Sequence, residues 1–227
     1  MPKGTDDMVE STIAPQVRAL HETAAAAPPN QTMSAFTREQ EVLAGVVPDG
    51  VISLGTELPD VGLLDPHGAQ TTLLSTLDGR RGVLVFYRGA WCPYCNIALA
   101  AYQTDLVDAL DARDVVLLAV SPQLPDGSLS MQEKHDLRFA VLSDPGNHLA
   151  RSAGVLTAPS PEARAAQLEL GLDLEVVNAD ATVGIPMPTA VVLEPDATVR
   201  WIDVHPDYST RSEPSEILAA LDALGER

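Results

Sequence analysis

Two cysteines, Cys92 and Cys95, are the residues of this chain whose type and spacing most clearly suggest chemistry. They are separated by Pro-Tyr, follow an apolar run at 83–87, and open a segment with helical spacing of apolar residues. A helix N-terminus stabilises a thiolate through its free N–H groups and its positive dipole end. Pro93 suits the first helical position because its φ is fixed and it has no N–H to leave unpaired. The sequence therefore predicts a redox-active pair that closes a Cys92–Cys95 disulfide.

Other uses of two cysteines fit the sequence less well. A structural zinc site needs four ligands, but there is no second Cys-x-x-Cys, and the five histidines have no metal-binding spacing. Two unreactive core thiols remain an alternative. No nucleophile-elbow serine motif and no glycine-rich phosphate loop occurs. We expect no metal, haem or flavin cofactor.

The segments around the dithiol predict an α/β architecture. A buried strand at 83–87, a helix at 93–110 and a second buried strand at 114–121 form a β-α-β unit, which implies parallel pairing. Such folds place their sites at the carboxyl ends of the strands, where the cysteines fall. The other predicted elements are extended runs at 60–65 and 69–74, a helix after Asp126-Gly127, a strand from 139 with a turn at 146, a short helix ending at Gly154, a hairpin of strands at 189–194 and 198–204, and a helix at 213–224.

The region before residue 50 is predicted to be a helical N-terminal extension of a domain at 51–227, which has an insertion near 155–183. Val9, Ile13, Val17 and Leu20 fall on one helical face, and prolines within 24–30 end that helix. Residues 37–40 match a capping box that would start a second helix. These helices are expected to cover the main domain; a mobile or partner-binding arm is the alternative.

Charge and hydropathy limit the partners. The net charge is −18, which disfavours nucleic acid and anionic membrane surfaces. No run approaches the 18 apolar residues of a membrane span, and the first residues lack the pattern of a secretory signal. We therefore expect a cytoplasmic protein that binds neither nucleic acid nor membrane.

Beside the dithiol, the segment Met187-Pro188-Thr189 precedes a predicted strand. Proline at such a position marks an edge or a special turn, because it cannot donate to a central ladder. We expect a cis peptide bond before Pro188, facing the dithiol and exposing backbone to an incoming chain.

The segments VFYRGAWCPYCN, AVSPQ, FAVLSDPGN, GIPMPTAVVLE and DVHPDY resemble the peroxiredoxin-like branch of the alkyl hydroperoxide reductase/thiol-specific antioxidant (AhpC/TSA) family, over about residues 54–224. The resemblance implies a thioredoxin-like fold with a central mixed sheet flanked by helices. It also implies thiol-dependent reduction of hydrogen peroxide or organic hydroperoxides, with thioredoxin or another small thiol as electron donor. A homodimer is compatible with it.

This chain departs from the family pattern at the residues that activate the peroxide. The family's Pro-x-x-x-Thr/Ser-x-x-Cys loop, laid on this chain, puts the peroxidatic cysteine at Cys95, the threonine at Cys92 and the proline at Arg88. The family's distant arginine falls near Pro188. Arg88 is the candidate replacement cation, and Arg88, Trp91 and Pro188 are the candidate substrate-binding residues.

The order of attack stays open at this stage. If the chain reacts as a thioredoxin does, Cys92 is the nucleophile and Cys95 the resolving cysteine. If it reacts as a peroxiredoxin does, Cys95 attacks the peroxide and Cys92 is the resolving cysteine. A protein disulfide reductase and a redox-sensing binding module are the rival functions. His205, after the last predicted strand, is a weaker candidate for a catalytic base than for a loop former.

Overall fold

The fold centres on a seven-stranded mixed sheet. A computed structural model describes residues 12–26, 30–46 and 48–225. The strands of this sheet are β1 (Gly62–Leu64), β2 (Gln70–Thr72), β3 (Arg81–Phe86), β4 (Val115–Ser121), β5 (Ala140–Ser143), β8 (Thr189–Leu193) and β9 (Val199–Val204). Their order in the sheet is β2-β1-β5-β4-β3-β8-β9, in which β3, β4 and β5 are parallel and the other pairs are antiparallel.

The central strands are buried on both faces, as their continuous apolar runs predict. Almost every residue of β3, β4 and β8 is buried. One apolar cluster packs against the face that bears the cysteines, and a second packs against the other face. The predicted parallel pairing of β3 with β4 and the predicted hairpin of β8 with β9 are both confirmed.

Helices cover both faces of the sheet. The predicted helix at 93–110 is two helices, α4 and α5, which meet at Leu106. After the N-terminal pair α1 and α2, described below, the helices are α3 (Leu73–Leu77), α4 (Pro93–Asp105), α5 (Val107–Asp111), α6 (Pro125–His135), α7 (His148–Ser152), α8 (Pro161–Glu169), α9 (Leu174–Val177) and α10 (Pro214–Leu224). The Asp126-Gly127 pair lies in the first turn of α6 rather than before it.

The N-terminal helices α1 (Ile13–Ala26) and α2 (Gln31–Leu43) pack on the domain. Ile13 and Val17 are buried in the cluster that contains both cysteines, whereas Val9 lies outside the described residues. The capping box expected at 37–40 is wrong, because Asn30 caps α2 through the N–H of Thr32 and residue 37 lies inside the helix. Asparagine is as good an N-cap residue as threonine, and Asn30 lies seven residues before Thr37.

The segment expected to be an insertion is more regular than its sequence indicates. It contains α8 and α9 and begins with the short strand β6 (Leu156–Thr157), which pairs with β7 (Ile185–Pro186). Ser160 caps α8 by accepting from the N–H of Ala163. The division into a 1–50 extension and a 51–227 domain stays a prediction. Within the described residues, no helix combines the length and apolar character that crossing a bilayer requires.

Candidate dithiol site

The loop between β3 and α4 presents the two cysteines. Cys92 is the N-cap of α4 and Pro93 its first residue, as predicted. Gln123, which follows β4, accepts from the N–H of Ala90 at 2.8 Å and donates to the Tyr87 hydroxyl at 2.9 Å. Gly89 has a φ of +148°, and a Cβ there would lie 2.4 Å from the Trp91 indole nitrogen. The loop is therefore held by hydrogen bonds and by close packing.

Three donors converge on the sulfur of Cys95. The backbone N–H of Arg88 lies 3.4 Å from it, Nη2 of Arg211 lies 3.1 Å from it, and the Cys92 thiol donates to it. Burial by itself opposes ionisation of this thiol. The hydrogen bond from Cys92 and the charge of Arg211 outweigh burial and hold the pKa of Cys95 well below its ordinary value.

The pKa of Cys92 is shifted in the opposite direction to that of Cys95. Its pKa is raised well above the ordinary value, first by burial and then by its hydrogen bond to the Cys95 sulfur. One sulfur is thus a thiolate and the other a protonated donor beside it. Because the thiolate is the reactive form, this asymmetry favours Cys95 as the attacking residue and Cys92 as the resolving one.

The Arg88 guanidinium lies over two aromatic rings near the dithiol loop. Its guanidinium carbon is 3.7 Å from the centre of the Tyr208 ring and 5.2 Å from that of Trp91. Arg88 is 4 % exposed and Arg211 is 7 % exposed. The ion pairs found among the described residues involve other arginines, such as Arg81 and Arg164, but neither of these two. One buried guanidinium, that of Arg211, therefore contacts the Cys95 sulfur, and neither Arg88 nor Arg211 forms an ion pair with a described carboxylate.

Arg211 is the functional residue that sequence reasoning missed. It lies in the loop between β9 and α10, 116 residues after Cys95. Its Nη1 donates to the carbonyl oxygens of Tyr208 and Thr210, which aims the other nitrogen at the sulfur. The signal that could have found it is an arginine soon after the last strand, in the DVHPDYSTR segment that also supplies Tyr208.

A polar network braces that loop. Asp203 accepts from Nε2 of His205 at 2.9 Å and from the Ser212 hydroxyl at 2.7 Å, while Nδ1 of His205 lies 2.7 Å from the Thr210 hydroxyl. The hydrogen bond from His205 is the main cause of the lowered pKa of Asp203. His205 thus has a structural role, as the loop interpretation predicts.

The expectation of a cis bond before Pro188 is wrong, since every peptide bond between described residues is trans. Pro188 is buried and its carbonyl accepts from the N–H of His205 at 2.8 Å, while the Met187 carbonyl accepts from the Thr189 hydroxyl. The strand β7 and the bond from Met187 N–H to Val155 fix this turn without a cis bond. The backbone before Pro188 is therefore engaged within the chain.

The N-terminal helices close over the site. The Tyr94 hydroxyl, from the residue between the cysteines, bonds His21 of α1 at 2.9 Å and Gln40 of α2 at 3.0 Å. The N–H groups of residues 12–14 all donate to the Glu213 carboxylate at the start of α10. Both cysteines are 1 % exposed. Trp91 is half-buried at the rim and packs against the core.

In the described part of the chain, no three His, Cys, Asp or Glu side chains are grouped as metal ligands. The sheet order, with a Cys-x-x-Cys at the start of the helix after a central strand, defines a thioredoxin-like α/β protein with a dithiol site. The AhpC/TSA family model matches residues 54–202, about two thirds of the chain. The chain therefore belongs to the AhpC/TSA family.

Two relatives of this chain are named as peroxiredoxins. Peroxiredoxin Bcp of Bacillus subtilis strain 168 is 32 % identical over 104 residues, which cover 46 % of this chain and 65 % of that protein. Peroxiredoxin Bcp of Escherichia coli K12 is 29 % identical over the same length, with the same coverage. The matched segment thus spans just under two thirds of each relative.

Solved structures share the fold. Reduced Prx3 of Vibrio vulnificus in complex with hydrogen peroxide has a TM-score of 0.61 and 21 % identity, covering 75 % of this chain and 99 % of that one. Peroxidoxin BcpB of Mycobacterium tuberculosis has a TM-score of 0.58 and 20 % identity, covering 76 % and 98 %. These likenesses confirm the predicted thioredoxin-like fold.

Proposed function

We propose that this protein is a thiol peroxidase that reduces hydrogen peroxide or organic hydroperoxides through Cys95, with Cys92 as the resolving residue. The single observation that supports it best is the Cys95 sulfur held between the Arg211 guanidinium, 3.1 Å away, and the Arg88 N–H. Those donors stabilise the thiolate that attacks an O–O bond. The names of the relatives point the same way.

The proposed reaction has two steps. The Cys95 thiolate attacks one oxygen of ROOH, the O–O bond breaks, and the other oxygen leaves as RO⁻, which takes a proton to become ROH. Cys95 is then a sulfenic acid. The Cys92 sulfur attacks it, a disulfide forms, and the sulfenic oxygen leaves as water with the thiol proton. The disulfide is returned to two thiols by two electrons from thioredoxin or another small dithiol.

Arg88 has a separate proposed role. Its backbone N–H serves the thiolate, while its guanidinium, which forms no ion pair among the described residues, would bind the peroxide oxygens. Charge that develops on the leaving oxygen is stabilised by such a preorganised cation. Trp91 and Tyr208 would hold the guanidinium plane in place, and Pro188 would form part of the substrate wall.

Two observations argue against the alternative function of protein disulfide reductase. Cys92, which thioredoxin logic would make the nucleophile, is buried and protonated. The turn at Pro188 is trans and engaged within the chain, so it does not present the backbone edge expected for an incoming peptide.

The test uses stopped-flow mixing of reduced protein with hydrogen peroxide, together with Cys92→Ser and Cys95→Ser. We expect Cys95→Ser to abolish peroxide consumption. Cys92→Ser should react once and stop at a sulfenic acid on residue 95, which a sulfenic-acid probe labels and mass spectrometry locates. A wild-type rate no faster than that of free cysteine, or a label on residue 92 in Cys95→Ser, would remove the proposal.

A further inference from the structure

A small cavity lies beside Arg88, on the side of the site away from the core. Its volume is about 90 Å³. One wall comes from the C-terminal end of α2 and the residues after it, through Leu43 and Val46, and the opposite wall from residues 157–159 and 185–188. Most of these side chains are apolar. The cavity therefore suits an apolar group rather than an ion.

The polar end of the cavity is the end that belongs to the thiol site. Arg88 and Tyr208 both line it, and the guanidinium carbon lies 3.7 Å from the centre of the Tyr208 ring. The N–H of the same arginine donates to the Cys95 sulfur. Arg88 thus lines the cavity with its side chain and serves the thiolate with its backbone, so a hydroperoxide held by its guanidinium would have its organic group in the cavity.

We propose that this cavity binds the organic group of a compact, neutral alkyl hydroperoxide, and so selects short branched substrates over long-chain ones. This inference rests on the proposed peroxidase function. The cavity is smaller than the roughly 150 Å³ that holds a benzene ring in a protein core. A tert-butyl group is the size of occupant that it accommodates. Attack by Cys95 on the O–O bond leaves this group unchanged, as the alcohol ROH, inside the cavity.

Glu39 extends the selection to charge. It lines the cavity and is 8 % exposed; one carboxylate oxygen accepts from the N–H of Ser160 at 2.6 Å, and the other is buried without a hydrogen-bond partner. A second carboxylate brought beside it would be repelled and would lose its own hydration. Compact hydroperoxides that carry a carboxylate close to the peroxide group are therefore disfavoured by charge, whereas fatty-acid hydroperoxides are disfavoured by length.

The cavity wall that α2 and the residues after it form comes from a part of the sequence that the family model does not match. Leu43 and Val46 precede residue 54, where that match begins. The size limit is therefore imposed by the N-terminal extension, packed against a domain that supplies the thiols. This gives α2 a role in substrate choice, which its packing against α8 alone would not require.

The experiment compares second-order rate constants for hydrogen peroxide, tert-butyl hydroperoxide, cumene hydroperoxide and linoleic acid hydroperoxide in full-length reduced protein. Val46→Phe fills the cavity and Leu43→Ala widens it. Val42→Ala is the matched control, because residue 42 is on the same helix, 72 % exposed and not part of the cavity lining. Each rate is divided by the rate of the same variant with hydrogen peroxide, which removes general effects on the thiol.

We expect tert-butyl hydroperoxide to exceed the fatty-acid hydroperoxide in wild type. Val46→Phe should lower the tert-butyl ratio about tenfold and Leu43→Ala should raise the cumene ratio about tenfold, the range that pocket methylenes produce. The control should match wild type. Unchanged ratios in both variants, or a preference for the fatty-acid substrate, would overturn the inference while leaving the peroxidase function intact. Failure of every peroxide, hydrogen peroxide included, would overturn the function itself.

Discussion

Replacing Arg211 with methionine tests the central electrostatic claim. The change removes the guanidinium that lies 3.1 Å from the Cys95 sulfur and leaves the Arg88 N–H and the Cys92 thiol in place. Methionine keeps most of the apolar stem of the side chain. Because Arg211 favours the ionised form of Cys95, its loss should raise the pKa of that thiol.

The magnitude follows from the type of contact. A hydrogen bond to a charged group contributes about 1.5–3 kcal/mol. Since 1.4 kcal/mol is a factor of about ten, the ionisation constant of Cys95 should fall about 10- to 150-fold. The bare Coulomb attraction at this distance would be larger, but two other donors still serve the sulfur in the variant, so the hydrogen-bond figure is the relevant one.

The assay is thiolate absorbance at 240 nm, followed from acid to alkaline pH in a Cys92→Ser background so that a single thiol titrates. Arg151→Met is the matched control, because residue 151 is exposed on α7 and has no ion pair among the described residues. Far-ultraviolet circular dichroism checks that each variant is folded. A titration in Arg211→Met that coincides with that of the parent would refute the argument that Arg211 sets the ionisation of Cys95.

Three further predictions follow from the same contacts. In wild type, the rate of reaction with peroxide should fall as the pH drops through the lowered pKa of Cys95 and should be constant between that pKa and neutral pH. The reason is that the thiolate is the form present above the pKa. A rate that rises steadily from pH 6 to 9 would contradict this prediction. Asp203→Asn should weaken the hydrogen bonds that hold the Arg211 loop, and should shift the 240 nm titration of Cys95 in the same direction as Arg211→Met but by a smaller amount. An unshifted titration curve would show that these hydrogen bonds are not needed to position Arg211. Ile13→Ala should lower the free energy of unfolding in urea by about 2–5 kcal/mol, the cost of a large-to-small change at a buried site, and a loss below about 0.5 kcal/mol would show that α1 is not docked in the core.

The parts of the fold that the sequence could predict are those set by local pattern. The continuous apolar runs at β3 and β4 are long enough to identify two doubly covered strands, and the helix between them requires parallel pairing. Cys92 and Pro93 at the start of α4 follow from the rules for helix N-termini. The short link between β8 and β9 likewise permits only a hairpin.

The parts that could not be predicted depend on contacts between distant residues. Apart from its position soon after the last strand, nothing in the sequence distinguishes Arg211 from arginines that are exposed, because its contact with the sulfur is made by a loop that returns to α4. Thr37 has the residue pattern of a cap, but Asn30 lies earlier, and the packing of α2 against α8 extends the helix to it. The geometry at Pro188 is decided by pairing of β7 with β6, a strand that no sequence pattern indicates.

The position of Arg211 also changes what the departures from the family pattern mean. Judged by motif alone, the chain lacks both the threonine of the family loop and its distant arginine. In the structure, the threonine position holds Cys92, whose thiol donates to the Cys95 sulfur as a hydroxyl there would. Arg211 reaches the same sulfur from another loop. We therefore propose that Cys92 and Arg211 make the interactions with the thiolate that the family motif assigns to other positions.

This substitution has a consequence for the catalytic cycle. A hydroxyl at position 92 could only support the thiolate, whereas a thiol there supports it and then attacks the sulfenic acid that replaces it. The raised pKa of Cys92 keeps its proton on while Cys95 is a thiolate, which prevents two adjacent negative charges. In the proposed cycle, oxidation of Cys95 would remove that negative charge, and the charges of Arg88 and Arg211 would then favour ionisation of Cys92. The two arginines would thus act on the cysteines in sequence, and oxidation of the first thiol would be the event that activates the second.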